Sequence, residues 1–317
     1  MMFLLSSLTA PMLGTKSIKP QWLAKSIPCP DILAFNNSIQ RSTMSQFSQR
    51  FGGTQRLYGV NETEILRSAH VCVIGIGGVG SWVAEALARS AVGHITLIDL
   101  DDICVTNTNR QIHALQNTVG EAKVDAMRER ILQINPECRV DVLEDFVTPD
   151  NVKQLLTQDM SYVVEATDSV KAKAAMVAHC KRSKIPIITI GGAGGQIDPT
   201  QIAVADLAKT IQDPLAAKLR YILRKEYGFT TNPKRRFAVE CVFSTEQLRY
   251  PQADGSVCQT KNLTNGSVKL DCNNGFGASV AVTATFGFVA AARVIQKLTA
   301  QKQNPQPRTI SLEENIL

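Results

Sequence analysis

The chain has 317 residues, of which 44% are hydrophobic and 20% charged, with a formal net charge of +6, and this is enough apolar material for one large domain or two small ones. The 20 glycines and 13 prolines exclude collagen-like and fully disordered classes, and the 8 cysteines, with no CxxC pair, exclude a disulfide scaffold and a four-cysteine zinc site. Reduced cysteines in a cytoplasmic enzyme are the natural expectation.

The first 43 residues differ from the rest of the chain. They begin with MMFLLSSLTAPML, which resembles a signal peptide but has no basic residue before its apolar run. An aperiodic mixture of Lys, Pro, Ser and Asn follows, up to Met44. We therefore expect residues 1–46 to be a disordered extension, of which residues 1–43 are dispensable.

Short apolar runs alternate with helical patterns from about residue 47 onward. Residues 70–75 form a continuous apolar run that ends in glycine, as expected of a strand buried on both faces. Further strands are predicted at residues 94–99, 139–143, 162–166 and 186–190, with helices at residues 81–91 and 123–134. Strands that alternate with helices indicate βαβ units, so residues 47–205 are predicted to form a doubly wound, mostly parallel Rossmann-like α/β domain.

A glycine-rich run follows the first predicted strand and precedes a helix. Gly75, Gly77, Gly78 and Gly80 would let backbone N–H groups approach a phosphate at the positive end of that helix. Asp99, at the end of the second strand, is placed to bind ribose hydroxyls. These features indicate a nucleotide without saying which one, and they fit an NAD-dependent oxidoreductase equally well.

The residues after the second strand favour ATP over NAD. Asp101, Asn109, Arg110 and Lys123 follow in order. A hydride-transfer site has no need for the Arg and the Lys, whereas a site that splits ATP does, because negative charge accumulates on the phosphoryl oxygens. Either cation alone could be a surface charge, but together with the glycine run they are predicted to be catalytic.

A third acidic position, Asp168, follows the fourth predicted strand. Ligands in open α/β sheets lie beyond the carboxyl ends of the strands, so Asp168 is expected at the same crevice as Gly75 and Asp99. A carboxylate that faces a triphosphate is repelled unless a metal lies between them, and Asp168 is the predicted Mg²⁺ ligand. The alternative is an N-cap of the next helix, and the two roles are compatible.

Over residues 47–298 the chain resembles the ubiquitin-activating-enzyme-like adenylyltransferases. The resemblance rests on GxGGxG after the first strand, D-x-D after the second, Asn109-Arg110 with Lys123, and T-D after the fourth strand. The resemblance implies that ATP adenylates a carboxylate. It also implies a homodimer in which an N-terminal arginine of one subunit, Arg50 or Arg56, reaches the ATP of the other. The implied nucleotide and metal ligands are Gly75, Gly77, Gly78, Gly80, Asp99, Asp101, Asn109, Arg110 and Lys123, with Mg²⁺ at Asp168.

Three segments, RFGGTQRLYG, ATDSVKAKAAM and AVECVFSTEQ, look like the subgroup that modifies tRNA, the threonylcarbamoyladenosine dehydratases. This resemblance implies that ATP activates the threonyl carboxylate of a modified adenosine next to the anticodon. The carbamoyl group of the same nucleoside would then close a ring and release AMP, an intramolecular step with a high effective molarity. The alternative is activation of the C-terminal glycine of a ubiquitin-like sulfur carrier, whose bacterial activators usually carry the CxxC pairs that this chain lacks.

Cys241 lies near the position at which relatives keep a thioester-forming cysteine. Because apolar residues flank it, it could equally be an inert core cysteine. Cyclisation needs no thioester, so we favour the inert interpretation and keep a catalytic Cys241 as the alternative.

The alternation of strands and helices stops near residue 205. Residues 206–275 are predicted to be a basic crossover insertion that faces tRNA, because residues 209–236 hold eight Lys or Arg against two Asp or Glu. The predicted RNA-binding residues are Arg220, Arg224, Lys225, Lys234, Arg235 and Arg236, and the interleaved aromatics that could stack on unpaired anticodon-loop bases are Tyr221, Tyr227, Phe229 and Phe237. A solvated helix and loop with its own salt bridges is the alternative.

Residues 276–298 are apolar over a length near the minimum for a membrane span, but Gly277 and Gly287 weaken that interpretation. We expect a C-terminal core helix, with membrane association as the lesser alternative, and a tail at residues 299–317. The Asn- and Gly-rich residues 262–277 leave open a bound monovalent cation. A sulfur-relay partner, and a non-enzymatic RNA-binding module in which nucleotide only sets the conformation, also remain open.

Overall fold

A computed structural model describes residues 45–252, 254–259 and 276–300, all within one unit that spans residues 44–317. Three predicted segments lie outside the described residues, except for two residues at one end of each segment. They are the N-terminal extension at 1–46, the candidate cation segment at 262–277 and the tail at 299–317.

Seven strands form one sheet in the order β3-β2-β1-β4-β5-β7-β6. They are β1 His70–Ile74, β2 His94–Ile98, β3 Arg139–Leu143, β4 Tyr162–Glu165, β5 Ile187–Ile190, β6 Ile202–Asp206 and β7 Glu240–Ser244. Neighbouring strands are parallel, except that β6 and β7 are antiparallel. A separate short pair consists of β8 Tyr250–Pro251 and β9 Val257–Cys258. The strand order reverses between β1 and β4, where sheets of this kind form their ligand crevice.

Helices cover both faces of the sheet. They are α1 Gln46–Tyr58, α2 Val60–Ser68, α3 Gly80–Arg89, α4 Lys123–Ile134, α5 Val152–Leu155, α6 Val170–Ser183, α7 Pro214–Tyr227 and α8 Val280–Ala300. Val71 and Val73 of β1 pack with α3, α4 and α8 on one face. Cys72 and Ile74 point to the other face and pack with α6 and α7. The arrangement confirms the predicted doubly wound, mostly parallel fold, and it explains why the first strand is apolar on both sides.

The elements after residue 200 differ from the predicted ones. Before that point, β3 and α4 have their predicted bounds, and the other predicted strands and helices agree within two residues. The expectation of an insertion over residues 206–275 is corrected, because this segment supplies α7 and also β7, which lies inside the sheet between β5 and β6. The sequence pattern did not indicate β7, because a short strand buried on both faces lacks alternation of polar and apolar residues. The charged segments on either side of β7 make its short apolar run harder to recognise.

The C-terminal helix α8 begins and ends a few residues later than predicted. Among the described residues it is the one helix long and apolar enough to cross a membrane, judged by length and composition alone. Half of its most apolar window is buried in the fold. It approaches α3 closely, since a Cβ on Gly287 would lie 2.7 Å from the Cβ of Trp82. The helix thus fills a core position behind the first turn of α3.

The first helix starts at the end of the molecule opposite to the crevice. Phe47 and Phe51 pack on Ala91, just after α3. The Nη1 atom of Arg50 lies 3.5 Å from the carbonyl oxygen of Ile134, the last residue of α4. Helices that connect parallel strands run back to the edge where the strands begin, here called the amino-end edge. Arg50 therefore lies at the amino-end edge, away from its own chain's glycine loop.

Candidate nucleotide site

The glycine loop between β1 and α3 has no room for side chains at two positions. Gly75 has a φ of +85°, and a Cβ there would lie 2.9 Å from the carbonyl carbon and oxygen of Ala166, just after β4. A Cβ on Gly80 would lie 1.8 Å from the carbonyl oxygen of Gly75. Both positions need glycine, the first for its backbone conformation and both for close approach. The loop is therefore pressed against the end of β4, at the point where the strand order reverses.

Asp99 ties the glycine loop to a buried lysine. Its Oδ2 accepts the Ile76 N–H at 2.6 Å, and its Oδ1 accepts the Asp101 N–H at 2.9 Å. The Lys123 Nζ lies 2.6 Å from the Asp101 Oδ2 and 3.8 Å from the Asp99 Oδ1. Burial raises the pKa of Asp99, and the Lys123 ammonium offsets part of that rise. The structure thus brings Asp99, Asp101 and Lys123 together beside the loop, as the sequence indicated.

The side chain of Arg110 lies along the same loop. A Cβ on Gly78 would lie 3.2 Å from the Cγ and Cδ atoms of Arg110. The Nη1 of Arg110 donates to the Thr106 carbonyl at 2.8 Å and to the Asn109 Oδ1 at 3.0 Å. The indole N–H of Trp82, on α3, donates to the Arg110 carbonyl at 2.9 Å. The aliphatic part of the Arg110 side chain therefore lies against the glycine loop, its guanidinium is held by Thr106 and Asn109, and its backbone is held by Trp82.

Gln111 also lies beside the glycine loop, although it was not among the predicted site residues. A Cβ on Gly77 would lie 4.0 Å from its Nε2, and the side chain is buried. Within the described part of the chain its Oε1 has no hydrogen-bond partner, which is unusual for a buried amide. The available signal was its place beside Arg110, directly after the pair Asn109-Arg110. We regard Gln111 as a further candidate nucleotide contact.

Asp168 is exposed in the turn after β4, next to the segment that touches Gly75. The N-cap of α6 is Ser169, so the structure does not give Asp168 the alternative capping role. Among the described residues no group of three or more His, Cys, Asp or Glu could hold a metal ion. A single carboxylate nevertheless fits Mg²⁺ that arrives with a nucleotide, because this ion is commonly bound by one or two carboxylates together with substrate phosphates and water.

Cys241 is enclosed in the core and is not open to the crevice. It is the second residue of β7, it pairs with Thr189 of β5 in the sheet, and it is buried in the apolar cluster under α6 and α7. Burial, with a smaller contribution from the Asp213 carboxylate, raises the pKa of its thiol. A protonated, buried thiol is a poor nucleophile. The geometry therefore favours the inert interpretation of Cys241.

The predicted RNA-binding residues lie largely at the amino-end edge. The loop of residues 228–239, which carries the exposed Lys234, Arg235 and Arg236, leads into the start of β7. Lys181, near the end of α6, donates to the Ala238 carbonyl in this loop at 3.4 Å. We call Arg224, Lys225, Lys234, Arg235 and Arg236 the basic surface. It faces away from the glycine loop, which lies at the opposite edge of the sheet.

The aromatic side chains in this region divide into core and surface. Phe237 is only 3% exposed and packs edge-on against Phe229, with ring centroids 4.9 Å apart. The Arg224 guanidinium covers the Phe237 ring at 5.4 Å. The prediction that RNA bases could stack on Phe237 is therefore wrong, because its ring is buried in the hydrophobic core. Tyr221 is 61% exposed, with the Lys225 ammonium 5.6 Å from its ring centroid.

Arg220, the remaining RNA-binding prediction, is partly buried and makes a hydrogen bond within the protein. Its guanidinium donates to the Thr210 hydroxyl, and burial lowers its pKa. The residue therefore ties α7 to the segment that follows β6.

Comparison with known proteins gives consistent matches. A model of the ThiF family matches residues 53–315. A tRNA threonylcarbamoyladenosine dehydratase of Escherichia coli (strain K12) is 62% identical over 253 residues, covering 80% of this chain and 94% of the relative. An enzyme of the same name from Haemophilus influenzae is 55% identical over 259 residues, covering 82% and 97%. The solved structure of E. coli tRNA N6-threonylcarbamoyladenosine dehydratase in complex with ATP has a TM-score of 0.71 and 58% identity, covering 80% of this chain and 95% of that one.

Proposed function

The chain belongs to the ThiF family, and we propose that it is an ATP-dependent enzyme that cyclises threonylcarbamoyladenosine next to the anticodon of tRNA, with net loss of water. The observation that carries the proposal is the placement of two cations at the switch point of the sheet: Arg110 lies along the glycine loop, and Lys123 pairs with Asp99, which binds that loop. The near full-length identity to two dehydratases supports the choice of substrate. A carrier-protein substrate remains the alternative.

The first step transfers an adenylyl group. A threonyl carboxylate oxygen attacks the α-phosphorus of ATP, and the bond to pyrophosphate breaks. The glycine-loop N–H groups and the N-terminus of α3 face the phosphates, while the Arg110 fork and the Lys123 point charge neutralise the charge that develops. Lys123 is already fixed by Asp99 and Asp101, so little reorganisation is needed as the barrier is crossed.

The second step closes the ring. The carbamoyl group of the same nucleoside attacks the acyl carbon, the bond to AMP breaks, and the attacking group loses a proton. Because the nucleophile and the activated carbonyl belong to one nucleoside, the step needs no protein nucleophile. The buried, protonated Cys241 fits this scheme.

Asp168 is the proposed ligand of a Mg²⁺ ion that would arrive with ATP. The ion would supply charge neutralisation at the transferring phosphoryl group. The support is the exposed carboxylate beside the glycine loop. A single carboxylate such as Asp168 would be sufficient on the protein side, because Mg²⁺ in nucleotide sites commonly uses one or two carboxylates with phosphates and water.

The basic surface is proposed to bind the tRNA backbone at a distance from the reacting nucleoside. Its location at the amino-end edge supports contact with another part of the same RNA. A homodimer with Arg50 or Arg56 in the partner's site is likewise a proposal, supported by the position of Arg50. Free thiols at Cys72, Cys104, Cys138, Cys180 and Cys241 support a reducing, cytoplasmic setting.

Mass analysis of tRNA nucleosides tests the activity directly. We expect tRNA that carries threonylcarbamoyladenosine to yield a nucleoside lighter by one water after incubation with the protein and ATP, and to stay unchanged without ATP. Lys123→Ala should abolish the product. Pyrophosphate exchange stimulated by a small carrier protein, and not by tRNA, would instead establish the alternative.

A further inference from the structure

A lysine and a glutamate form an ion pair sealed inside the protein beneath the candidate site. Lys173, on α6, and Glu165, the last residue of β4, are both 0% exposed. The Lys173 Nζ lies 2.6 Å from the Glu165 Oε2. Removing two charges from water costs several kcal/mol for each ion. Apolar residues would fill this space at no such cost, so packing alone does not account for the pair.

The glutamate has a second set of contacts that an apolar residue could not make. Its Oε1 accepts the Thr167 N–H at 2.8 Å and the Thr167 hydroxyl at 2.7 Å. Its Oε2 also accepts the Thr189 hydroxyl, at 2.6 Å. Two of the hydrogen bonds to this carboxylate thus hold the residue directly before Asp168.

The same turn is fixed from its other side by the glycine loop. The Ala166 N–H donates to the Ile74 carbonyl at 2.8 Å, and the carbonyl of Ala166 leaves no space for a Cβ on Gly75. The turn is therefore clamped between β1 and Glu165. Its geometry is set before Asp168 meets any ligand.

We propose that Lys173 and Glu165 are positioning residues for the adenylylation step: Lys173 holds the Glu165 carboxylate, Glu165 holds Thr167, and Thr167 presents Asp168 to the nucleotide. The assignment rests on the proposed function. Neither residue touches the nucleotide, so their effect is on the rate of the chemical step. ATP affinity depends on the glycine loop, Arg110 and Lys123, and the contacts described above for these groups do not include the Glu165 side chain; the loop meets this turn at the backbone of Ala166 and Thr167.

The test compares kcat with KM in variants that retain packing. Thr167→Val removes the hydroxyl that donates to Glu165, whereas Thr167→Ser keeps it. Since a misplacement of about 1 Å can cost about 100-fold in rate, we expect Thr167→Val to lower kcat for AMP formation about tenfold or more. The KM for ATP should change less than about twofold, and Thr167→Ser should restore kcat.

A second variant replaces the whole pair, with Glu165→Leu and Lys173→Met, because matched apolar residues often preserve stability where a single deletion does not. Its control is Glu85→Leu with Arg130→Met, another ion pair with a buried carboxylate, between α3 and α4. Hydrogen exchange at the amides of Thr167 and Asp168 should become faster in the first double variant and stay unchanged in the second. The turn can be examined in this way whether or not the protein acts on tRNA.

The outcomes separate the two proposals. Full kcat in Thr167→Val, or unchanged exchange at the turn in the Glu165→Leu/Lys173→Met variant, would overturn the positioning role. Absence of the cyclic nucleoside with the unmodified protein would overturn the proposed function, while the exchange measurement would still decide whether Glu165 and Lys173 hold the turn.

Discussion

Single residues at the candidate site are held in place before any ligand binds. Lys123 is 6% exposed and already engaged with two carboxylates. Arg110 is held by the Thr106 carbonyl and the Asn109 amide oxygen. Preorganised charges stabilise a transition state most effectively in a site that excludes water. The sequence could identify these residues because both are cations in the segment that leads from the second strand to the next helix, after the glycine run and Asp99.

Replacing Arg110 with Ala should abolish the chemistry and leave the fold intact. Loss of one preorganised donor typically costs 100-fold to 1,000-fold in kcat, so we expect AMP formation to fall by about 100-fold or more. The melting temperature should barely change, because the guanidinium is not part of the core. Chromatographic measurement of AMP checks this, with the exposed Arg128→Ala on α4 as the control. Unchanged turnover would remove Arg110 from the site.

His113 should make stability depend on pH. It is 2% exposed, and burial, followed by the charges of Lys123 and Arg130, lowers its pKa to about 4. Below pH 6.5 the unfolded chain takes up a proton at this histidine that the native state does not bind. The free energy of unfolding should therefore fall by about 2 to 3 kcal/mol between pH 6.5 and pH 4.

Urea unfolding at several pH values measures this dependence. His113→Leu should remove most of the dependence of the free energy of unfolding on pH. A smaller dependence should remain because of His70, whose pKa is also lowered by burial. An equally steep slope in His113→Leu would show that other groups cause it.

Elements decide which charges can act together. The sequence places the residues of the basic surface after the nucleotide motifs, and nothing in it indicates that the two lie at opposite edges of the sheet. In the fold, α7 runs from the crevice, where Asp213 accepts the Gly192 N–H at 2.9 Å, to the amino-end edge. The helix thereby carries Arg224, Lys225 and the loop that follows away from the glycine loop. Within one subunit, RNA contact there involves nucleotides other than the one that reacts.

Reversing two charges of the basic surface should weaken tRNA binding. We expect Arg235→Glu with Arg236→Glu to lower the affinity and to reduce the slope of log K against log salt, because fewer counterions are released. Filter binding at several salt concentrations measures both quantities. Arg128→Glu with Lys153→Glu makes the same change in charge at exposed positions elsewhere. Equal affinities in the two double variants would exclude the basic surface as the tRNA contact.

The whole molecule is predicted to need a second copy for activity. The start of α1 lies at the amino-end edge, so Arg50 can serve a nucleotide site only in another subunit. Arg50→Ala and Asp168→Asn should each be inactive alone, whereas a mixture should regain activity, because a heterodimer then contains one intact site. The same mixture with Arg56→Ala tests the other arginine. No recovery in either mixture would rule out this arrangement.

The sequence by itself determined the central architecture and the residues around the nucleotide. Apolar runs at residues 70–75 and 94–99, each followed by glycine or aspartate, predicted strands whose carboxyl ends meet. Parallel strands bring their ends to one edge by necessity, so Gly75, Asp99 and Asp168 could be assigned to one crevice before any coordinates were known.

Only the tertiary structure decided the features that depend on distant segments. The burial of Lys173 and Glu165 and the inaccessibility of Cys241 follow from how α6 and α7 cover the sheet. The insertion of β7 between β5 and β6 fixes the edge at which the basic surface lies. The physical reason is that periodicity and motif spacing report contacts a few residues apart, whereas burial and strand order arise from packing between segments far apart in the chain.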